Sequence, residues 1–336
     1  MIIPIFLPEM GCPGRCVFCD QRRISGQTEI MPPQAVKQII DQHLATNPCP
    51  DQAEVEVAFF GGTFTALPLS AQEKYLEQVK PYIASGKVKQ IRISTRPDRI
   101  TGDDLEILSH YGVWLVELGI QSLDDQVLEQ VGRGYGRFQV EKAVKEILDQ
   151  GLQFGAQLMP GLPGSNAVSD VESARLCAEW GAATARIYPT LVITGTVLEQ
   201  MYKRGEYVPL SLDQAIEIAA DMTECFRRRR IPVIRIGLQA STDLIQPGTI
   251  VAGPWHPALG ELVKSREWRR RIEKALEGTA AGQSVQIMVP RSKISQAVGQ
   301  NRMNLLWLQE KLGLNISIDG TPMLQNEDFA VKYRDV

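Results

Sequence analysis

Short runs of β-branched and aromatic residues alternate with longer amphipathic stretches over residues 2–237, and this alternation constrains the fold more than any other feature. The rhythm is typical of βα units around a parallel sheet, so the predicted fold class is α/β. The predicted strands are residues 2–7, 54–60, 88–95, 113–120, 153–159 and 184–189. The predicted helices are residues 33–45, 70–84, 103–111, 138–150 and 169–180, with a further helix (212–230) and strand (232–238) extending the series.

The composition is that of an ordinary globular protein. The chain has 336 residues, 44% hydrophobic and 22% charged, which is enough for one barrel-sized domain and a small module. It has neither the N-terminal pattern of an exported protein nor a run of about eighteen apolar residues. We therefore expect a cytoplasmic protein with no membrane partner.

A triplet of cysteines follows the first predicted strand. Cys12, Cys16 and Cys19 form a C-x3-C-x2-C pattern in the loop that leaves residues 2–7. Three thiolates at this spacing can hold three irons of a cubic 4Fe-4S cluster and leave the fourth iron open to another ligand. The triplet therefore predicts a metal site at which the open iron is the reactive position.

Two other uses of the triplet fit the sequence less well. A structural zinc site needs four ligands that arrive as two pairs, and the nearby His43 and Cys49 do not form a pair. Structural disulfides are typical of secreted scaffolds, whereas Cys49, Cys177 and Cys225 are scattered through helix-like or loop sequence. The cluster interpretation is therefore preferred.

Other notable residues stand at or shortly after the ends of predicted strands, where parallel α/β proteins collect their working residues. They are Gly61, Gly62, Thr63, Ser94, Gln121, Arg133 and Gln157. A Gly-Gly pair lets backbone approach a ligand closely, although it is also common in tight turns. Gln157 has the alternative of being an ordinary strand residue.

The triplet, with the aromatic Phe18 just before its third cysteine, resembles the signature of the radical S-adenosylmethionine (SAM) enzymes. The resemblance implies an open (β/α)6 TIM-like barrel and two cofactors, a 4Fe-4S cluster and SAM. In that superfamily the open iron chelates the amino and carboxylate groups of the methionine moiety, and the aromatic residue packs near the adenine. Reductive cleavage then yields a 5′-deoxyadenosyl radical, so Cys12, Cys16 and Cys19 are the implied catalytic and metal-binding residues.

The same resemblance implies roles for the strand-end residues. Gly61, Gly62 and Thr63 match the glycine motif that hydrogen-bonds the cofactor's amino group. Comparison with the oxygen-independent coproporphyrinogen oxidases implies that Ser94 contacts the cofactor, that Gln121 and Gln157 face its ribose, and that Arg133 binds its carboxylate. That family has a carboxylate where this chain has Ser94, and often an acid where it has Gln157.

Residues 1–240 are most similar to the radical domain of the catalytic subunit of Elongator and its prokaryotic relatives. The matching phrases are Gly61-Gly62-Thr63-Phe64, Thr95-Arg96-Pro97-Asp98, Gln121-Ser122-Leu123-Asp124-Asp125, Gly132-Arg133-Gly134-Tyr135 and 186–196. Elongator's subunit continues into an acetyltransferase domain. The ninety or so residues that follow here are too few for that fold and contain no glycine-rich pyrophosphate loop, so acetyl-coenzyme A dependence is not implied.

The C-terminal residues instead predict a small α+β module. Strand 284–289, helix 292–298, turn 299–302, helix 303–312 and strand 315–319 give a βααβ order that resembles the KH module, with Arg302 in place of the second glycine of its G-x-x-G loop. Nine basic and three acidic residues between Lys264 and Arg302 favour nucleic-acid binding over a purely structural cap. The predicted domains are a radical SAM barrel (1–240), a linker with a basic helix (241–282) and a KH-like module (283–336).

The leading hypothesis is therefore a radical SAM enzyme that modifies a base in RNA, with tRNA favoured and a flavodoxin or ferredoxin as reductant. A second hypothesis keeps the radical chemistry but assigns a small molecule such as a tetrapyrrole. A third is a cluster-bearing chaperone or RNA-binding factor without turnover. His256 lies in a proline-rich segment and is predicted to belong to a turn and not to the active site.

Overall fold

The computed structural model of the chain describes residues 1–7, 12, 16–20, 31–46, 54–238, 244–325 and 328–334. These residues divide into two compact units. The first comprises Met1–Ala215 and Met222–Trp255, and the second comprises Ile216–Asp221 and His256–Val336. The predicted boundary between residues 240 and 241 falls outside the described residues, and the predicted three-part division stays a prediction.

The first unit is built on a curled, open sheet of seven parallel strands in the order β1-β2-β3-β4-β5-β6-β8. The strands are β1 (Ile2–Phe6), β2 (Glu56–Phe60), β3 (Gln90–Thr95), β4 (Val113–Gln121), β5 (Gln153–Leu158), β6 (Thr184–Ile187) and β8 (Val233–Ile236). All seven were predicted to within a few residues. The α/β partial barrel is therefore confirmed, with β8 as the strand that extends the six βα units.

The sequence forms this sheet because each strand presents apolar side chains to a covering layer of helices. Ile3 and Ile5 of β1 and Ile91 and Ile93 of β3 are completely buried. Alternate residues of the same strands point to the other face, where the pattern includes charged side chains such as Arg92. Parallel pairing carries all seven strands in one direction, so their carboxyl ends share one edge.

Helices connect the strands, and side-chain caps fix several of their first turns. The helices of this unit in the described residues are Ala35–Ala45, Leu69–Glu77, Lys80–Ala84, Gly102–His110, Asp125–Gln130, Arg137–Asp149, Ala167–Glu179, Val197–Lys203 and the two ends of Leu212–Arg228, whose middle, Ile216–Asp221, belongs to the second unit. Thr101 and Asp104 form a reciprocal capping box, and Asn166 caps the helix that follows β5. The helices in the described part of the chain are too short or too polar to cross a membrane.

Some elements of the first unit were not predicted. The helix predicted over residues 70–84 is two helices, because Pro81 stands at the start of the second and cannot donate a backbone hydrogen bond to the first. The short helix Val197–Lys203 and an antiparallel pair, β7 (Val192–Ile193) with β9 (Ile250–Ala252), were also missed. Two- and three-residue strands carry too little periodicity to be found from sequence.

The second unit contains the predicted βααβ order. Strand β10 (Ser284–Pro290) is followed by helices Ile294–Val298 and Met303–Leu312 and by β11 (Asn315–Thr321), which pairs parallel to β10. An unpredicted strand, β12 (Ala330–Arg334), pairs antiparallel to β10 and completes a three-stranded sheet. Its core is apolar, with Trp268, Ile272, Ile287 and Leu308 at its centre.

The basic helix of this unit, Leu259–Ala275, differs from the expected phosphate-binding surface. Arg266, Arg269 and Arg270 all form ion pairs with Glu217, and Arg270 also pairs with Asp221. Two carboxylates thus pair with three of the six basic side chains of this helix. The expectation that the basic residues bind a nucleic acid stays a prediction.

Candidate active site

A cavity of about 780 Å³ opens at the carboxyl-end edge of the seven-stranded sheet. Ligand pockets of parallel α/β proteins have this size and position. Every site residue predicted from sequence lines it: Cys12, Cys16, Phe18, Cys19, Gly61, Gly62, Thr63, Ser94, Gln121, Arg133 and Gln157. These residues come from six separate stretches of the chain, and the fold brings them together at one cavity. Their individual roles stay predictions.

The cysteine loop is anchored to neighbouring loops by its backbone. Val17 donates to the carbonyl of Val131 at 3.2 Å, and the carbonyl of Val17 accepts from Leu198 at 2.8 Å. Cys16 and Phe18 are buried, whereas Cys12 and Cys19 are partly exposed to the cavity. The described part of the loop, residues 16–20, is therefore held by backbone hydrogen bonds at Val17.

The electrostatics of the three thiols suit iron. Burial, followed by the negative charges of Cys16 and Cys12, raises the pKa of Cys19 to about 12. Bound iron supplies the positive charge that such thiolates require. In the described part of the chain, no group of three His, Cys, Asp or Glu side chains is placed to hold a metal ion. The cubane expected from the sequence takes one thiolate for each of three irons.

Two buried arginines face Cys16. The Nη1 of Arg133 donates to the Cys16 sulfur at 3.2 Å, and the Nη1 of Arg96 lies 3.8 Å from the same atom. Arg133 also donates to the Tyr135 hydroxyl and to the carbonyl of Gly119, and both guanidinium groups lie over the Tyr135 ring. They place positive charge where thiolates and an anionic cluster would carry negative charge.

The sequence analysis did not identify Arg96 as a site residue. Its guanidinium is held by Asp98, which accepts from Nε at 2.8 Å and from Nη2 at 3.1 Å. Arg96 also donates to the carbonyl of Arg133, so the two arginines are linked. The sequence could have indicated this pair, because an arginine and an aspartate stand two residues apart in the turn that follows β3. Side chains at that spacing can form a salt bridge with each other.

Gln121 combines an unusual backbone with an unpaired polar atom. It has φ of 70° and lies at an irregularity in the pairing of β4 with β5. A left-handed conformation is uncommon for a residue other than glycine and is frequent at functional sites. Its Oε1 is buried and has no hydrogen-bond partner in the described part of the chain. A buried acceptor on the wall of a cavity requires a donor, and a ribose hydroxyl would supply one.

The glycine turn after β2 lies beside this wall. Gly61 has φ of 100°, a conformation that disfavours other residues, and the Thr63 that follows is almost completely buried. At Gly119 a Cβ would lie 3.2 Å from the Gln121 amide nitrogen, a tight contact from which the Gln121 side chain would have to shift. Both glycines therefore keep space for the polar groups that surround the cavity.

A buried ion network that was not predicted reaches the cavity through Glu117 and Arg186. Glu117 accepts from Arg92 at 3.2 Å and from Arg186 at 3.1 Å, and Arg92 also pairs with Glu56. Ser94 donates to Glu117 at 3.3 Å, so one predicted residue belongs to this network. The sequence did hold a clue to this network, because several strands carry one charged residue within an otherwise apolar run. Both faces of a parallel sheet are usually covered, so such a residue is seldom exposed to solvent and needs a buried partner.

Other residues considered from the sequence lie elsewhere. The Nδ1 of His256 accepts from the backbone of Ala258 at 3.1 Å, as in a turn. Cys177 and Cys225 do not line the cavity, and Cys49 lies outside the described residues. His43, which the sequence analysis considered only as a fourth ligand of a structural zinc site, does line the cavity.

The half-open sheet of parallel strands, with three cysteines and a glycine turn at its carboxyl edge, defines the architecture of radical SAM proteins. Family models agree: residues 9–177 match the Radical SAM superfamily and residues 182–269 match the Radical_SAM C-terminal domain. The chain belongs to the radical SAM superfamily of enzymes, whose cofactors are a 4Fe-4S cluster and SAM.

Within the superfamily the relatives lie in the Elongator branch, as the sequence phrases predicted. An uncharacterised protein of Methanocaldococcus jannaschii is 29% identical, with 66% of this chain and 65% of the relative covered. The tRNA uridine(34) acetyltransferase of Dehalococcoides mccartyi is 26% identical, with 66% and 55% covered. Elongator complex protein 3 of Saccharomyces cerevisiae is 28% identical, with 50% and 34% covered. The match thus spans only a third to two thirds of each relative's length.

Solved structures show the same fold. Elp3 of Methanocaldococcus infernus, lacking its N-terminus, superposes with a TM-score of 0.62 at 24% identity, covering 82% of this chain and 63% of that one. The methylornithine synthase PylB gives a TM-score of 0.51 at 15% identity, covering 76% and 72%. At these identities the likeness concerns the fold alone.

Proposed function

We propose that this chain holds a 4Fe-4S cluster on Cys12, Cys16 and Cys19, binds SAM in the adjoining cavity and modifies a base in tRNA. The observation that carries the proposal is the convergence of all eleven predicted site residues on one cavity. When bound and reduced, the cofactor pair supplies a 5′-deoxyadenosyl radical. The protein contributes binding, orientation and exclusion of water.

Each side chain has a task within this proposal. Gly61 and Thr63 receive the amino group of the methionine moiety, and Arg133 offers its guanidinium to the carboxylate. Gln121 accepts from the ribose through its unpaired Oε1. Phe18 packs near the adenine, and its burial beside Leu198 and Tyr207 keeps the ring in place.

Three other residues complete the proposed cofactor site. Gln157 faces the ribose from β5, and Ser94 contacts the cofactor from the end of β3. Arg96 has no assigned contact with the cofactor, and its charge beside Cys16 stabilises the thiolate and the cluster.

The apolar part of the cavity protects the chemistry. Phe60, Met159, Leu191 and Ile193 line the same space as the cysteines. A carbon radical abstracts hydrogen from whatever donor is nearest, so a dry apolar wall directs it to the substrate. This division between polar cofactor contacts and apolar walls is what the proposed reaction requires.

Two observations support tRNA as the substrate. Several relatives of the chain carry the name tRNA uridine(34) acetyltransferase. In the second unit, Asn301 and Arg302 have left-handed backbones and form an exposed loop between two helices, next to the exposed apolar side chains of Met303 and Leu306. A basic loop beside an apolar surface is how a KH-type module receives single-stranded nucleic acid.

The proposal also covers the reductant, the location and the domain organisation. A low-potential flavodoxin or ferredoxin in the cytoplasm supplies the electron that reduces the cluster. The chain is organised as the barrel (1–240), the linker with the basic helix (241–282) and the KH-like module (283–336).

The test is anaerobic reconstitution of the full chain followed by reduction with SAM, with and without tRNA. We expect release of 5′-deoxyadenosine that tRNA stimulates, and a new mass among the nucleosides of the treated tRNA. Replacement of Cys12, Cys16 and Cys19 by Ala should abolish both, and Cys225→Ala is the matched control. Cofactor cleavage that persists in the triple variant would reject the proposal, and stimulation by a porphyrinogen in place of tRNA would reassign the substrate.

A further inference from the structure

Arg235 is a cavity residue that the proposed cofactor site does not use. It lies on β8, is half-buried, and lines the cavity together with Arg186 and Tyr188 of the neighbouring strand β6 and its end. Its Nε donates to the carbonyl of Gly237 at 3.2 Å. Across the described ranges, which omit residues 239–243, no carboxylate forms an ion pair with Arg235. Its guanidinium therefore faces the cavity with most of its donors available.

The placement of Arg235 has an electrostatic cost. Arg186 is its partner in the β6–β8 pairing, so two positive side chains stand side by side. Like charges at such positions are destabilising. Glu117, which lines the same cavity, is already shared by Arg92 and Arg186. The arginines Arg92, Arg186 and Arg235 therefore stand beside only two carboxylates, Glu117 and Glu56. The positive charge of Arg235 is the one that no carboxylate of the network balances.

Tyr188 adds a second donor at the same place. The Nη1 of Arg186 donates to the Tyr188 hydroxyl oxygen at 3.1 Å, so that oxygen serves as an acceptor. The hydroxyl hydrogen has no acceptor in the described part of the chain and can be directed into the cavity. Arg235 and Tyr188 thus present donors to the cavity, and among the described residues no side chain accepts from them.

We propose that Arg235 and Tyr188 bind a phosphate oxyanion of the nucleotide that undergoes modification. The inference rests on the proposed function and deepens it by assigning a substrate contact. An extruded nucleotide enters a pocket with its flanking phosphates, and arginine forks match phosphate oxygens. The phosphate supplies the negative charge that the network lacks.

This site is separate from the proposed carboxylate contact of SAM. Arg133 and Arg96 stand at the Cys16 sulfur, whereas Arg235 is on β8, the strand at the opposite edge of the sheet from β1 and its cysteine loop. A variant at Arg235 should therefore affect nucleotide binding far more than SAM binding.

The test measures binding by calorimetry to the full reconstituted chain with SAM, anaerobically and without reductant. Uridine 5′-monophosphate and uridine are the probes, because they differ only in the phosphate. We expect Arg235→Gln to lower the affinity for the monophosphate by about tenfold to 100-fold, because a hydrogen bond to a charged group is lost. The affinity for uridine should fall by less than twofold. Arg235→Lys should restore part of the lost affinity for the monophosphate. Tyr188→Phe should lower that affinity by a smaller factor than Arg235→Gln does. Arg204→Gln, an exposed arginine paired with Glu206, is the control.

The outcomes separate this inference from the proposed function. Equal binding of the monophosphate by wild type and Arg235→Gln would overturn it, as would an equal loss of SAM affinity. Binding of a propionate-bearing porphyrinogen through Arg235, without binding of the monophosphate, would overturn the phosphate assignment in favour of a carboxylate. Loss of phosphate binding in Arg235→Gln with no SAM cleavage in wild type would support the anion site while refuting the proposed radical function.

Discussion

At the scale of single residues, the cavity is marked by side chains that are costly to keep without a ligand. Gln121 holds a left-handed backbone and buries an unpaired oxygen. A left-handed conformation costs a non-glycine residue roughly 1–2 kcal/mol, and a buried unsatisfied acceptor adds to that cost. Both penalties are explained if the amide serves a bound cofactor.

Replacement of Gln121 by Gly separates these two effects. Glycine accepts the backbone conformation, so we expect a free energy of unfolding within about 1 kcal/mol of wild type. Loss of the amide should weaken SAM binding by about fivefold to tenfold, the worth of one neutral hydrogen bond. Calorimetry and chemical unfolding measure the two quantities. Asn301→Gly, at an exposed left-handed position, is the control, and unchanged SAM affinity in Gln121→Gly would remove Gln121 from the cofactor site.

At the scale of elements, the loop after β5 is fastened by a buried carboxyl group. Asp170, in the first turn of helix Ala167–Glu179, accepts from the backbone of Gly161 at 2.9 Å and from the Ser165 hydroxyl at 3.4 Å. Tyr207 donates to the carbonyl of the same Gly161 at 2.6 Å. Burial raises the pKa of Asp170 to about 7, despite the two donors, and the charge of Asp124 acts in the same direction.

This pKa predicts a pH dependence of stability. The folded chain keeps the Asp170 proton up to about pH 7, whereas an unfolded chain loses it near pH 4. Because the folded state then binds more protons, the free energy of unfolding should fall as pH rises between these values, on the order of 4 kcal/mol in all. Asp170→Asn should lack this contribution, as measured by urea unfolding of the cluster-free chain at pH 5 and pH 7.5. The exposed first-turn variant Asp103→Asn is the control, and an identical pH difference in wild type and Asp170→Asn would contradict the prediction.

A comparison of the elements with the sequence shows which parts of the fold and of the candidate site could be predicted. Every main strand was predictable, because buried parallel strands are continuous apolar runs with β-branched residues such as Ile91 and Ile93. The site residues were predictable because parallel strands bring their carboxyl ends to one edge. The Glu117 network and the Arg96–Asp98 pair were not, because the partner of a buried charge lies on another strand and its identity depends on register.

At the scale of the whole molecule, one cavity in the first unit contains three groups of residues with different chemistry. Thiols and two arginines surround the predicted cluster position, Gln121 and the glycine turn form the proposed SAM contacts, and Arg235 with Tyr188 forms the proposed phosphate site. The second unit carries the exposed loop with Asn301 and Arg302, which is the proposed RNA contact. Cofactor chemistry and substrate recognition are therefore assigned to separate residues, which can be changed independently.

The central claim is that three cysteines bind a cubane whose fourth iron is open to SAM. Electron paramagnetic resonance of the reduced, reconstituted chain, recorded with and without SAM, tests it most directly. We expect the signal of a reduced 4Fe-4S cluster whose shape changes when SAM is added, because SAM becomes a ligand of the open iron. A cluster signal that SAM leaves unchanged, or a reconstituted chain without any cluster, would contradict the account.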